Sequence, residues 1–244
     1  MNYIPQQVRV YFNKTNTLLY SYLASLPLLA GYEILLLISQ PTTDHMVRIS
    51  VDVWIRYFIQ LIGVNSTGIF LMLIALIGLI VLYRDRENFA NLKTSYFPIL
   101  LIESMVYALV VGFFISSLTT DITMIMPQDI IDNDIGYLQW LSLSLGAGLY
   151  EELFFRVFLY FLFMWVFSKF LEKKWASISL SVIASSLLFS LAHFTGSYGD
   201  AFTIYAFLFR FLFGVALTVI YARRGFAVAA WTHALYDIFV VTFR

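Results

Sequence analysis

The chain has 244 residues, 61% of them hydrophobic and 12% charged, with a mean hydropathy of +0.82 and a formal net charge of zero. A soluble domain carries about 25% charged residues, so the composition points to a membrane protein, and the neutral balance gives nucleic acid nothing to bind. There is no cysteine, which excludes disulfides, thiol catalysis, thiolate metal ligation and prenylation of the chain itself.

The N-terminus, MNYIPQQVRVYFNK, is too polar and aromatic for a cleavable signal peptide. A helix lying on the membrane surface fits within residues 1–16. Hydropathy then predicts seven spans, at 17–39, 57–83, 96–118, 137–168, 176–194, 202–222 and 226–243. The second is long, and an interfacial stretch from Trp54 to Ile62 could feed a span from Val64. The fourth, at 32 residues, would measure about 48 Å as a straight helix, against a hydrocarbon core of roughly 30 Å. It must tilt, protrude or break, and Gly146-Ala147-Gly148 is its weak point. The expected fold is all-α: a polytopic transmembrane helix bundle of seven to eight spans, forming one membrane domain over 1–244 without internal repeats.

The loops suggest an orientation. With the N-terminus in the cytoplasm, the inside segments hold Arg9, Lys14, Arg84, Arg86, Lys93, Lys169, Lys173, Lys174, Arg223 and Arg224, whereas the outside segments hold only Arg48, Arg56 and Arg244. This is a positive-inside pattern. The outside loop 119–136 adds Asp121, Asp129, Asp132 and Asp134 and no Lys or Arg. His45 reads as a solvated loop residue, Asn65-Ser66-Thr67 as a chance sequon, and Lys169–Lys174 as a cytoplasmic anchor.

Within the spans the polar residues are few: Glu33, Glu103, Glu151, Glu152, Arg156, His193, Arg210, His233 and Asp237. A charge at membrane depth costs roughly 2.5–3.5 kcal/mol on insertion scales, so such groups pair with one another and mark function. Glu152 and Arg156 stand i,i+4 on one helix face. Glu151 is turned about 100° away, so the two carboxylates do different jobs. Phe189 and His193 share the i,i+4 spacing in the fifth span, and His233 and Asp237 repeat it in the seventh. Glu33 and Glu103 read as interior hydrogen-bond partners, with Arg210 as their expected mate.

If spans four, five and seven pack together, this set suits water activation. A carboxylate in an apolar site can accept a proton near neutral pH, an opposing imidazole can hold the same water, and the second histidine can polarise a carbonyl. No G-x-S-x-G nucleophile signature is present. The depths fit poorly: Glu151 lies about 25 Å above the inner end of its span and His233 about 12 Å above the inner end of the seventh.

Glu151-Glu152-Leu153-Phe154-Phe155-Arg156 matches E-E-x-x-x-R, Phe189-Ser190-Leu191-Ala192-His193 matches F-x-x-x-H, and His233-Ala234-Leu235-Tyr236-Asp237 matches H-x-x-x-N/D. With these three motifs in order on separate spans, residues 137–243 resemble the CPBP family of intramembrane proteases, which includes CAAX prenyl endopeptidases and the bacterial bacteriocin-processing or immunity (Abi) proteins. The resemblance implies an endopeptidase acting on a membrane-associated peptide or protein. It implies Glu151 as the base that activates water with His193, Glu152 and Arg156 as a supporting pair, His233 and Asp237 on the oxyanion side, and Phe189 packed beneath. Position 237 is Asp where the prenyl-processing branch has Asn. An ionised Asp cannot donate to an oxyanion and would instead orient His233 or accept a metal. The family has been described both as metalloproteases and as metal-free, glutamate-dependent enzymes. A zinc site would need Glu151, His193 and His233 as ligands. The competing readings are a non-catalytic adaptor or immunity protein that binds peptide at the same site, and a proton-coupled transporter. The short chain suggests a bacterial or archaeal plasma membrane, with lipid and a peptide substrate as partners.

Overall fold

A computed structural model describes residues 5–40, 47–61, 66–119, 136–195 and 199–243. His45, Asn65 of the sequon, the aspartates of the acidic outer loop and Arg244 lie outside the described residues. Among those described, every regular element is a helix. In chain order they are α1 (Gln6–Thr15), α2 (Leu18–Ser39), α3 (Ser50–Leu61), α4 (Ser66–Arg84), α5 (Arg86–Phe89), α6 (Tyr96–Thr119), α7 (Tyr137–Gly146), two π-helical stretches (Ala147–Glu151 and Leu153–Leu159), α8 (Tyr160–Phe170), α9 (Lys174–Ala192), α10 (Ile204–Arg224) and α11 (Phe226–Thr242).

The polytopic bundle expected from hydropathy is present. α2, α6, the continuous run Tyr137–Phe170, α9 and α10 are each long and apolar enough to cross a membrane. The described parts of the expected second span lie in α3 and α4. α11 has 17 residues, about 26 Å of helix, and lies at the centre, packed by α2, α6, α7, α10 and the first π stretch. Its buried face is small, with Ala227, Ala229, Ala230 and Ala234, which lets neighbouring backbones approach closely. Large apolar side chains such as Leu79, Phe113 and Phe161 point outward, as lipid contact requires.

The long fourth segment does not break at Gly146–Gly148. It widens into π-helix there and continues to Phe170. Such widenings recur at functional sites because they re-aim side chains within a continuous helix. Gly148 explains the position of this one: a Cβ there would stand 2.5 Å from the Ala230 carbonyl oxygen and 2.6 Å from the Ala234 Cβ. Only glycine lets this turn lie against α11. The second π stretch is braced from α9, where Ser185 Oγ donates to the Phe155 carbonyl at 2.5 Å.

α1 supplies the surface helix expected within 1–16, and it is clamped to the bundle. Arg224, at the end of α10, donates to both Glu103 carboxylate oxygens at 2.6 and 2.8 Å, to the Phe12 carbonyl at 3.1 Å and to Thr15 Oγ1 at 2.9 Å. Tyr11 donates to Glu103 Oε2 at 2.7 Å. Burial, and then the Glu103 carboxylate, push the Tyr11 hydroxyl well above its ordinary value, so it stays a donor. Gly225, with φ +86, turns the chain directly from α10 into α11.

Candidate active site

Four helices deliver the site. The π-helical region presents Glu151, Glu152 and Arg156, the end of α9 presents Phe189 and His193, and α11 presents His233 and Asp237. α10 packs behind α9 with Gly214, where a Cβ would lie 3.1 Å from the Phe189 ring. All seven residues named from the sequence motifs come together.

Glu152 is the buried hub. It and Arg156 are fully inaccessible. Its Oε1 lies 3.1 Å from Arg156 Nη1 and 2.7 Å from His233 Nδ1. Arg156 makes no conventional hydrogen bond. Its guanidinium instead lies 4.2 Å over the Phe189 ring and 6.0 Å from the Phe155 ring. This explains the phenylalanine of the second motif: its π face meets a cation that would otherwise be bare in an apolar interior. The same ring makes edge contacts with His193 at 4.8 Å and His233 at 5.7 Å between centroids, so one aromatic sets the tilt of both imidazoles.

Glu151 faces the other way. Its Oε2 is buried without a hydrogen-bond partner and lies 3.7 Å from His193 Nε2. His193 Nδ1 is 2.8 Å from the Phe189 carbonyl, an acceptor, so Nδ1 carries the proton. In neutral imidazole Nε2 is then an acceptor. Glu151 Oε2 and His193 Nε2 are thus two acceptors facing each other. On α11, His233 Nδ1 donates to Glu152, and its Nε2 is 3.5 Å from Asp237 Oδ2. The His193 and Asp237 side chains, 27% and 29% exposed, are the most open of the set and form its mouth.

The depth mismatch inferred from the sequence closes because the long helix projects. Glu152 meets His233 directly, so the Phe170 end of α8 extends well past the start of α11. α8 buries none of its residues, and the hairpin it forms with α9 carries Lys169, Lys173 and Lys174 at its tip.

Residues 133–239 match the family model described as type II CAAX prenyl endopeptidase, Rce1-like. This match supports the resemblance to the CAAX-type (CPBP) protease family carried by the three motifs. No curated protein and no solved structure matched the chain.

Glu151, His193 and His233, the set a zinc site would need, do not form a three-ligand cluster in the structure. Among the described residues no three His, Asp or Glu side chains converge closely enough to hold a metal ion. His233 Nδ1 faces Glu152 and His193 Nδ1 faces its own helix, which leaves Nε2 of each imidazole turned to the site. The expected partnership of Arg210 with Glu33 or Glu103 is also overturned. Glu33 pairs with Arg48 at 3.1 Å and Arg56 at 2.7 Å, and Glu103 is held by Arg224. Arg210 instead forms an ion pair with Asp200.

Sequence reasoning missed one support. Buried Asp52 on α3 pairs with Arg48 and Arg56, its own i−4 and i+4 neighbours, at 2.8 and 2.7 Å, and accepts a hydrogen bond from Tyr32 at 3.0 Å. The Tyr32 ring packs edge-on against Tyr150, 5.3 Å between centroids, and so backs the turn that carries Glu151. The spacing of Arg48, Asp52 and Arg56 was a visible helical signal, but the region reads as loop and interface by hydropathy.

Proposed function

We propose that the protein is an intramembrane endopeptidase that hydrolyses a peptide bond of a membrane-associated peptide or protein with water activated by Glu151 and His193. The observation that carries this reading is the facing pair of acceptors, Glu151 Oε2 and His193 Nε2, 3.7 Å apart at the end of α9. Two acceptors cannot bond each other, whereas one water can donate to both at about 2.8 Å each. The match of residues 133–239 to a CAAX-type endopeptidase family model supports the same chemistry.

In this mechanism Glu151 takes one proton from the water as its oxygen bonds to the carbonyl carbon, and the C=O electron pair moves onto the carbonyl oxygen. The C–N bond then breaks, and the proton held by Glu151 passes to the departing amine. The C=O bond re-forms, and the products are a carboxylic acid and an amine, which become carboxylate and ammonium when the acid's proton passes to the amine. Glu152 and Arg156 hold His233, which faces the carbonyl side with Asp237 beside it. Phe189 packs beneath both histidines.

We further propose that residues 1–244 form one membrane domain with its N-terminus in the cytoplasm. The basic residues Lys14, Arg84, Lys93, Lys173 and Arg224 all lie at the α1 end of the bundle. The site lies toward the other end, since His193 caps α9 and Asp237 is five residues from the end of α11. It then opens to the extracytoplasmic half of a bacterial or archaeal plasma membrane. A leader, pheromone-like or bacteriocin-related peptide fits that setting.

The test is cleavage of quenched, lipid-anchored peptides, with and without a prenyl group, by purified protein in liposomes. Wild type and Glu151→Gln are compared with and without a chelator. The reading predicts cleavage by wild type in both conditions and none by the variant. Equal cleavage by both proteins contradicts it. Binding without cleavage by either favours a peptide-binding adaptor.

A further inference from the structure

We infer that Arg210 is a further catalytic residue, supplying the positively charged donor that stabilises the carbonyl oxygen as it becomes an oxyanion. This inference rests on the protease reading above. It begins from a shortfall at position 237. An ionised aspartate accepts hydrogen bonds and gives none, so Asp237 cannot bind an oxyanion, and beside one it is repulsive. Arg156 cannot fill the role, being enclosed between Glu152 and Phe189. His233, held to Glu152 through Nδ1, faces the carbonyl side, and a second donor beside it would replace the one that Asp237 cannot give.

Arg210 is built into that place. It lies two turns into α10, its guanidinium 5.1 Å over the Phe194 ring, the residue after His193. One end of the fork is engaged: Nη2 pairs with Asp200, whose backbone N–H donates to the His193 carbonyl at 2.9 Å. Arg210 is therefore fastened to the same helix end that carries His193. The other nitrogen, Nη1, is buried and has no hydrogen-bond partner among the described residues. A buried guanidinium nitrogen left unpaired is costly, which is the signature of a group awaiting a ligand. Its charge reaches Asp237, Glu151 and His193. The cation is thus within electrostatic reach of both the water-holding pair and Asp237, the groups that flank the scissile carbonyl in this reading. Asp237 then balances the Arg210 charge in the resting site, and the developing oxyanion takes over that pairing during attack.

The test uses full-length protein in liposomes and the quenched lipid-anchored peptides, with melting in detergent as a folding control. Arg210→Gln should lower kcat by about 10²–10³, the loss typical of one oxyanion donor, with KM within about threefold. Arg210→Lys, which keeps the charge but not the fork, should keep more of the rate and covers the case in which glutamine unfolds the protein. Asp200→Asn leaves the guanidinium in place and should cost less than about tenfold in kcat, whereas a merely structural ion pair predicts equal losses from either side. Adding Asp237→Asn to Arg210→Gln restores a neutral donor and should recover at least about tenfold of the lost rate. Wild-type kcat in a folded Arg210→Gln variant, equal losses in Asp200→Asn, or a further fall in the double variant overturns the inference and leaves the role of Glu151 standing. Failure of wild type to cleave any peptide overturns the protease reading and this inference with it.

Discussion

At the scale of single residues, adjacent glutamates are set to different tasks by which way they turn. Glu152 is engaged by Arg156 and His233, whereas Glu151 Oε2 has no partner and faces His193. His193→Ala should therefore abolish turnover while the protein still inserts and melts near wild type, as read by cleavage and thermal unfolding in detergent. Arg156→Ala should fail on both counts. It leaves the Glu152 carboxylate buried with only an imidazole, and breaking a buried pair costs about 3–5 kcal/mol. An Arg156→Ala protein that melts like wild type contradicts the supporting role. Asp237→Asn should keep activity, since the amide preserves shape and adds a donor; its kcat measures whether charge at 237 is required. The motif spacings made these residues visible in the sequence, because i,i+4 pairs are local. That the two carboxylates turn apart was visible too; the π-helical widening beside them was not, since it arises from contact with α11.

At the scale of elements, the π-helical turn and α11 form one unit through Gly148. Gly148→Ala would push a methyl group against the Ala230 carbonyl, 2.5 Å away, and backbone cannot yield as a side chain can. Overpacking of this kind costs about 1–3 kcal/mol. The predicted result is a lower melting temperature and a kcat reduced at least about tenfold, since a displacement near 1 Å at the chemistry is expensive. An unchanged kcat contradicts the coupling of this turn to the site. Sequence reading marked Gly146–Gly148 as the weak point of an overlong helix that must tilt, protrude or break. Length alone shows that something must give, but whether a helix snaps, kinks or widens depends on the neighbour it meets.

At the scale of the whole molecule, two charge networks hold opposite ends of the bundle, and the site lies nearer one of them. The Arg224–Glu103–Tyr11 clamp ties α1 to α6 and α10 at one end, and the Glu33–Arg48–Asp52–Arg56 cluster ties α3 to α2 at the other. Arg224→Ala should lower stability by about 3 kcal/mol yet leave kcat of the folded fraction unchanged, because the clamp is 14 residues of α10, about 21 Å, from Arg210. Span positions were legible because hydropathy is a local average. The networks were not, because Arg224 and Glu103 are 121 residues apart and counting charges in loops assigns such an arginine to solvent. The chain has no cysteine, so single cysteines report orientation cleanly: Glu172→Cys, between α8 and α9, should react with an impermeant maleimide only from the cytoplasmic side. The central claim, that Glu151 activates water for peptide hydrolysis, is tested most directly by mass analysis of cleaved lipid-anchored peptide after turnover in ¹⁸O water. The account predicts one ¹⁸O atom in the new C-terminal carboxylate with wild type and no product with Glu151→Gln; labelled product at the wild-type rate from Glu151→Gln would contradict it.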